Sequence, residues 1–290
     1  MSIVIPSFNQ GRYLEEAIRS VLLQGYPDIE LIVMDGGSSD ATVSILRKYG
    51  TWLAHWCSVP DVGQSHAINE GFHRSTGELC AWIGCDDRLV PGALIQAGRY
   101  FAARPDCQWL AGSGQLVFPA TGRVGVMASR VESSDALQSF WRFGSAGCFV
   151  VQPSCFWRRR LWDAAGGVRT DLHLAMDYDL WLRFAEHAEL HCCDDVFSIA
   201  LRAAGGKTFD QRPGQVREIM RCAYQFASRA RPRRALTLGF LRWYALERLR
   251  RCAHHVPRRE YAAALVEFRR LVEAPLRVLA ESGRVEMLQH

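Results

Sequence analysis

The residues best suited to chemistry in this sequence are two adjacent carboxylates, Asp86 and Asp87. They follow the apolar run Leu79-Cys80-Ala81-Trp82-Ile83 and then Gly84-Cys85. Such a run is the pattern of a strand buried on both faces of a sheet. Gly84 lets the backbone turn, which puts the acids at the strand's C-terminal edge, where open α/β sheets bind ligands. Neighbouring carboxylates repel each other, so the pair gains little unless a cation or its hydroxyl-bearing partner lies between them. A solvated Asp-Asp turn before the helix that Pro91 starts explains the same residues without a ligand. Other residues bear on the choice: Ser7 in Pro6-Ser7-Phe8-Asn9, Asp35 in Asp35-Gly36-Gly37-Ser38-Ser39-Asp40, and Asp177 in Met176-Asp177-Tyr178-Asp179-Leu180-Trp181. Asp177 falls at the start of a strongly amphipathic helix, where free N–H groups and the helix dipole favour a carboxylate. An N-cap alone would account for a single Asp there.

These residues need elements that bring them together, and the first hundred positions alternate strand and helix signals. Ile3-Val4-Ile5 is a β-branched run stopped at Pro6, and Leu14, Ala17, Ile18, Val21 and Leu22 then recur at helical spacing. Leu31-Ile32-Val33-Met34 is a second buried strand, followed by a turn whose Asp40 can cap a helix carrying Val43, Leu46 and Tyr49. Residues 52–59 are expected as a third strand, and Gly63-Gln64-Ser65 lead a helix closed by Gly77. The alternation predicts a mostly parallel sheet with helices on both faces, so Ser7, Asp35 and Asp86-Asp87 converge on one rim. Further on, the patterning predicts a helix over 92–105, a strand from Trp109 and a hairpin over 115–131. A strand broken at Pro153 follows, then a short helix ended by Gly166-Gly167, and the helix from Met176.

Composition sets the bounds. A chain of 290 residues can bury a full core. No basic and apolar leader follows Met1-Ser2 and no stretch reaches about 18 apolar residues, so neither a secretory signal nor a spanning helix is expected. None of the 10 cysteines forms a C-x-x-C pair, and reduced thiols in a cytosolic protein are the expectation. Residues 211–290 hold 17 arginines, no lysine and 7 acids, a balance of +10, against −5 for residues 1–210. Two regions with different surroundings follow: a domain over 1–210 and an arginine-rich helical extension over 211–290.

Taken in order, Pro6-Ser7-Phe8-Asn9, Asp35 to Asp40, Gly84-Cys85-Asp86-Asp87, Gln152-Pro153 and Asp177-Tyr178-Asp179-Leu180-Trp181 resemble the motifs of family 2 glycosyltransferases. The likeness covers roughly residues 1–210. It implies an inverting enzyme of the GT-A fold, an α/β architecture with a mostly parallel sheet flanked by helices. It further implies that Ser7 and Phe8 line the nucleobase pocket and that Asp35 contacts base or ribose. By the same likeness Asp86 lies toward the ribose, and Asp87 holds the divalent metal, Mg²⁺ or Mn²⁺, that bridges the donor diphosphate. Asp177 matches the general base on the acceptor hydroxyl, and Gln152-Pro153 and Trp157 match a segment bordering the acceptor.

The chemistry itself asks for these residue types. A sugar nucleotide leaves as a diphosphate, whose developing charge needs a hard cation with few protein ligands. Inversion is one in-line displacement and needs a single base opposite the leaving group. Three positions depart from the family pattern: Gly36 stands where many relatives carry a second Asp, and His66 stands where Asp often follows Gly-Gln-Ser. Arg202-Ala203-Ala204-Gly205-Gly206-Lys207-Thr208 lacks a family His, although Lys207 could meet phosphate.

The expected partners are a nucleoside-diphosphate sugar and a glycan or lipid-linked acceptor, as in surface polysaccharide synthesis. In the tail, Leu236, Phe240, Trp243 and Tyr244 mix with Arg242, Arg248, Arg250 and Arg251. Such helices could meet the inner face of the plasma membrane, or pack on the domain or a second subunit. Nucleic acid is not expected, since no recognition motif accompanies the charge. A catalytically weak sugar-nucleotide-binding scaffold of the same fold is the alternative function. A nucleotidyltransferase would want lysine in the loop at Ser7–Gly11, which has none.

Overall fold

The computed structural model describes residues 1–131, 136–137, 150–201 and 212–226. The expectations placed on Arg202–Thr208, and on the tail beyond Phe226, lie outside the described residues.

Among the described residues nine strands form one sheet. In chain order they are β1 (Ser2–Ser7), β2 (Glu30–Asp35), β3 (His55–Ser58), β4 (Leu79–Trp82), β5 (Asp87–Leu89), β6 (Trp109–Phe118), β7 (Arg123–Met127), β8 (Cys155–Arg158) and β9 (Leu190–Leu201). The helices are α1 (Gly11–Leu22), α2 (Thr42–Tyr49), α3 (Gln64–Arg74), α4 (Ala93–Ala103), α5 (Arg159–Ala165), α6 (Met176–His187) and α7 (Arg212–Phe226). Across the sheet the order is β3-β2-β1-β4-β8-β6-β9-β5, with β7 paired outside β6. From β3 to β4 all neighbours run parallel, as the βα alternation requires. Beyond β4 the sheet is mixed: β8 runs antiparallel to both β4 and β6, β6 and β9 are parallel, and β5 returns antiparallel to β9.

In the parallel half, β1, β2 and β4 are largely apolar and buried, while β3 at the edge is half-buried. All six residues of β1 are buried, and so are Leu31 to Asp35 in β2. Leu14, Ala17, Ile18 and Val21 turn one face of α1 into this core. Under α6 the core is aromatic. Trp181 stacks on Trp82 at 5.7 Å and on Trp109 at 5.7 Å, while Trp157, Trp162, Phe72 and Phe184 close round them.

The elements depart from the sequence reading in three places. The third strand is only His55–Ser58, because Gly50–Trp52 continue α2 as a 3₁₀ turn. Gln152–Ser154 also form a 3₁₀ turn, and strand begins only at Cys155. Finally, β9 is a twelve-residue strand that the patterning does not reveal. No helix among the described residues is long and apolar enough to cross a membrane.

Candidate active site

The C-terminal ends of β1, β2 and β3 lie side by side, with Ser7 in register with Asp35 and Asp35 with Ser58. Their turns are tied to one another. Gly36 N–H donates to Ser7 O at 2.9 Å, Asn9 N–H to Ser38 Oγ at 2.7 Å, and Ser39 N–H to Asn9 Oδ1 at 2.9 Å. Asn9 adopts φ 52°, a left-handed conformation that Asn tolerates better than most residues. Asp40 joins two helix starts, accepting from Gly11 N–H at 2.8 Å and Thr42 N–H at 3.0 Å.

Asp35 is buried at 2 % exposure, and its carboxylate accepts from Ser38 N–H at 2.9 Å, Ser38 Oγ at 2.5 Å and Ser58 Oγ at 2.6 Å. Much of its hydrogen-bonding capacity therefore goes into shaping the turn. Ser7 is also buried, its hydroxyl beside the Cys85 thiol, so its main-chain carbonyl is what organises the rim. Phe8 is different: its ring is 61 % exposed at the end of β1.

The acid pair sits where β4 gives way to β5. Asp86 lies in the turn and Asp87 opens β5, in register with Ala200 of β9. Both carboxylates curl back over Gly84, and a side-chain carbon there would stand 2.8 Å from Asp86 Oδ1 and 3.0 Å from Asp87 Oδ2. Only glycine leaves that space open to the two carboxylates. Gly84 N–H also reaches Asp87 Oδ2 at 3.2 Å. Cys85 hangs beneath, donating to Pro6 O at 3.2 Å, which clamps this turn to the end of β1. Burial pushes the Cys85 thiol up to about 12, so at neutral pH it stays protonated and is no nucleophile.

Among the described residues no group of three or more His, Cys, Asp or Glu is arranged as a metal cage. Two half-buried carboxylates converging on one point nevertheless fit a hard cation that takes its remaining oxygens from phosphate and water.

Asp177 is the second residue of α6 and half-buried, with its Oδ1 accepting from Tyr178 N–H at 2.8 Å. Asp179, two residues on, is fully buried and paired with Arg183 at 2.8 Å, so it anchors the helix. Direct contacts connect α6 to β4 and to α3. Trp181, one turn after Asp177, stacks on Trp82, four residues before Asp86. Ser65 Oγ, in the first turn of α3, donates to Leu172 O at 3.0 Å and lies 2.8 Å from Met176 Sδ. These contacts set α6 against the end of β4 and its first residue against the first turn of α3.

On the expected acceptor side, Gln152 Nε2 donates to Trp82 O at 2.8 Å, fastening its segment to the end of β4. Trp157 requires a correction. It is fully buried and packed edge-on to Trp82 and Phe72, so its ring supports the core and offers no face to an acceptor. His66 lies in the first turn of α3, with Nδ1 shut from solvent and lacking a hydrogen-bond partner among the described residues.

The sequence reading passed over Asp61. Its carboxylate lies 3.1 Å from where a side-chain carbon on Gly36 would be. An acid thus reaches the place where many family members carry their second Asp, but from the turn after β3. The pattern Pro60-Asp61 just before Gly63-Gln64-Ser65 was the available signal.

Comparison with known proteins bears on the family and the fold. Residues 2–161 match the family model "Glycosyl transferase family 2". An uncharacterised glycosyltransferase of Rickettsia conorii is 34 % identical over 203 residues, 66 % of this chain and 32 % of that protein. An uncharacterised Mycobacterium tuberculosis protein is 28 % identical over 200 residues, 63 % of this chain and 61 % of its own length. The chain therefore spans 61 % of the length of the Mycobacterium relative and about a third or less of two Rickettsia relatives. Among solved structures, Staphylococcus aureus TarS 1–349 in complex with UDP-GlcNAc superposes with a TM-score of 0.64 at 18 % identity, covering 96 % of this chain and 82 % of that one. The mannosyltransferase PcManGT from Pyrobaculum calidifontis, in complex with GDP-Man and Mn²⁺, gives 0.58 at 18 %, covering 93 % and 79 %. Motif order, fold and family match agree, and the chain belongs to glycosyl transferase family 2.

Proposed function

We propose that this chain is an inverting glycosyltransferase that moves a sugar from a nucleoside-diphosphate sugar to an acceptor hydroxyl. The observation that carries the reading is the convergence of Asp86 and Asp87 over Gly84, just past the end of β4, against which the Trp82–Trp181 stack sets α6. Complexes of UDP-GlcNAc and of GDP-Man with Mn²⁺ in proteins of the same fold favour this donor class and a divalent metal.

In this reading Asp87, with Asp86 beside it, would hold Mg²⁺ or Mn²⁺. A bound cation would neutralise charge developing on the departing diphosphate. Phe8 offers its exposed ring to the nucleobase, while Asp35 holds the turn that shapes the pocket and Asp61 presents a carboxylate beside Gly36. Asp177 accepts the proton of the attacking hydroxyl. It is half-buried in the first turn of α6, which leaves it within solvent reach of an acceptor. Gln152 keeps the acceptor-side segment in place from its hold on Trp82. A glycan or lipid-linked acceptor, as in surface polysaccharide synthesis, suits a hydroxyl nucleophile. The extension from residue 211 is assigned to contact with the domain, a membrane surface or a second subunit.

The test is hydrolysis and transfer with a panel of UDP-, GDP- and dTDP-sugars and Mn²⁺. Asp177→Asn should keep thermal stabilisation by the preferred nucleotide but lose at least about a hundredfold in turnover, as expected when a general base is removed. Turnover by Asp177→Asn equal to wild type would remove the base assignment. Nucleotide binding with no turnover by the wild type would favour the scaffold alternative.

A further inference from the structure

Helix α7 lies outside the sheet, yet it is joined to the start of α6. The Glu218 carboxylate accepts from three successive main-chain N–H groups, with Oε2 at 3.1 Å from His173, 2.8 Å from Leu174 and 3.0 Å from Ala175. Successive N–H groups converging on one anion form a nest. The Tyr178 N–H inside the first turn is met by Asp177 Oδ1, whereas Glu218 holds the N-cap N–H of Ala175 and the two residues leading into the helix. Neighbouring contacts reinforce it. Gln215 Nε2 donates to Leu174 O at 3.3 Å, Arg221 to Asp171 at 2.8 Å, and Arg169 to Gln225 at 2.7 Å. Ile219, Cys222 and Ala223 bury the other face of α7 in the core.

We propose that Glu218 is a positioning residue for the transfer reaction: by fixing the backbone of 173–175 it sets the direction in which Asp177, two residues further on, meets the acceptor hydroxyl. This rests on the reading of Asp177 as the base. A base must lie within hydrogen-bond reach of the proton it takes, and a misplacement of about 1 Å costs on the order of a hundredfold in rate. The residues assigned to the donor sit on other elements, the turns after β1, β2 and β4. Loss of Glu218 therefore separates turnover from nucleotide affinity, which a general loss of structure would not do.

The experiment uses the full chain with Glu218→Ala and Glu218→Gln. Amide hydrogen exchange is followed over residues 172–182. Binding of UDP, GDP and dTDP with Mn²⁺ is measured together with hydrolysis of UDP-GlcNAc and GDP-mannose. In Glu218→Ala, exchange in 172–182 should quicken by about tenfold or more with β1 and β2 unchanged. Nucleotide affinity should stay within about twofold, and turnover per nucleotide-binding site should fall about tenfold or more, with Glu218→Gln in between. Unchanged exchange, turnover within about twofold of wild type, or affinity falling in step with turnover would each overturn the proposal. A wild type that binds none of UDP, GDP and dTDP, each with Mn²⁺, would instead remove the glycosyl-transfer reading. The exchange result would then still decide whether Glu218 orders this segment: acceleration confined to 172–182 supports it, and no change overturns it.

Discussion

At the scale of single residues, the site divides its carboxylates between building and binding. Asp35 and Asp179 are buried and committed to partners, Asp86, Asp87 and Asp177 are half-buried, and Asp61 reaches in beside Gly36. If Asp61 stands in for the acid missing at 36, introducing that acid must set two carboxylates against each other. Gly36→Asp should then weaken Mn²⁺-dependent UDP or GDP affinity by about tenfold or more, because like charges at contact disfavour each other. Adding Asp61→Gly should restore most of the loss. A double variant no better than the single one would contradict the compensation. Asp86 and Asp87 stand out in the sequence because they follow an apolar run, whereas Asp177, which an N-cap would explain, stands out only through the family resemblance. Asp61 does not stand out, since its strand is short and half-buried and its meaning depends on an absent side chain across the turn. Trp157 misled in the opposite way: its place near a motif suggested a surface, whereas β8 carries it into the aromatic core.

At the scale of elements, the Trp82–Trp181–Trp109 stack is what sets α6 against the end of β4. Trp181 is 2 % exposed, so Trp181→Ala should destabilise the domain by about 3–5 kcal/mol in denaturant unfolding, the usual cost of truncating a buried aromatic. A loss under about 1 kcal/mol would show that α6 is held mainly elsewhere. The parallel half of the sheet could be read from sequence because β1, β2 and β4 are unbroken apolar runs bounded by turns. The mixed half could not. In β9 the stretch Cys192-Cys193-Asp194-Asp195 interrupts the alternation, and only pairing with β6, through a register shift between Ala111 and Gly114, makes it a strand. Similarly, β5 is three residues long and exists through its partner β9.

At the scale of the whole molecule, Arg221 of α7 meets the domain through an ion pair with Asp171 that straddles the expected boundary. Asp171 pairs with Arg169 at 2.7 Å and Arg221 at 2.8 Å, and the Arg169 guanidinium holds its carboxyl below the usual range. A lowered folded value means that the stabilisation is complete above the unfolded aspartate value of about 3.9 and is lost as pH falls through the folded one. These groups are substantially exposed, so the contribution is small, on the order of 1 kcal/mol or less. Acidification below about pH 4 should therefore loosen α7 from the 169–175 segment earlier in wild type than it unfolds the sheet. In Asp171→Asn the attachment should be weaker already at neutral pH and show less acid dependence. Hydrogen exchange in residues 214–226 against β1 reads both, and equal acid dependence in wild type and variant would exclude Asp171 as the cause.

The central claim is that acids from distant turns share one cation-assisted donor site with a separate base. Calorimetric titration of UDP and GDP into wild type, Asp87→Ala and Asp177→Asn, each with and without Mn²⁺, tests it most directly. Binding by wild type that needs Mn²⁺, disappears in Asp87→Ala and survives in Asp177→Asn is the predicted result. Binding that ignores both the metal and the loss of Asp87 would contradict it.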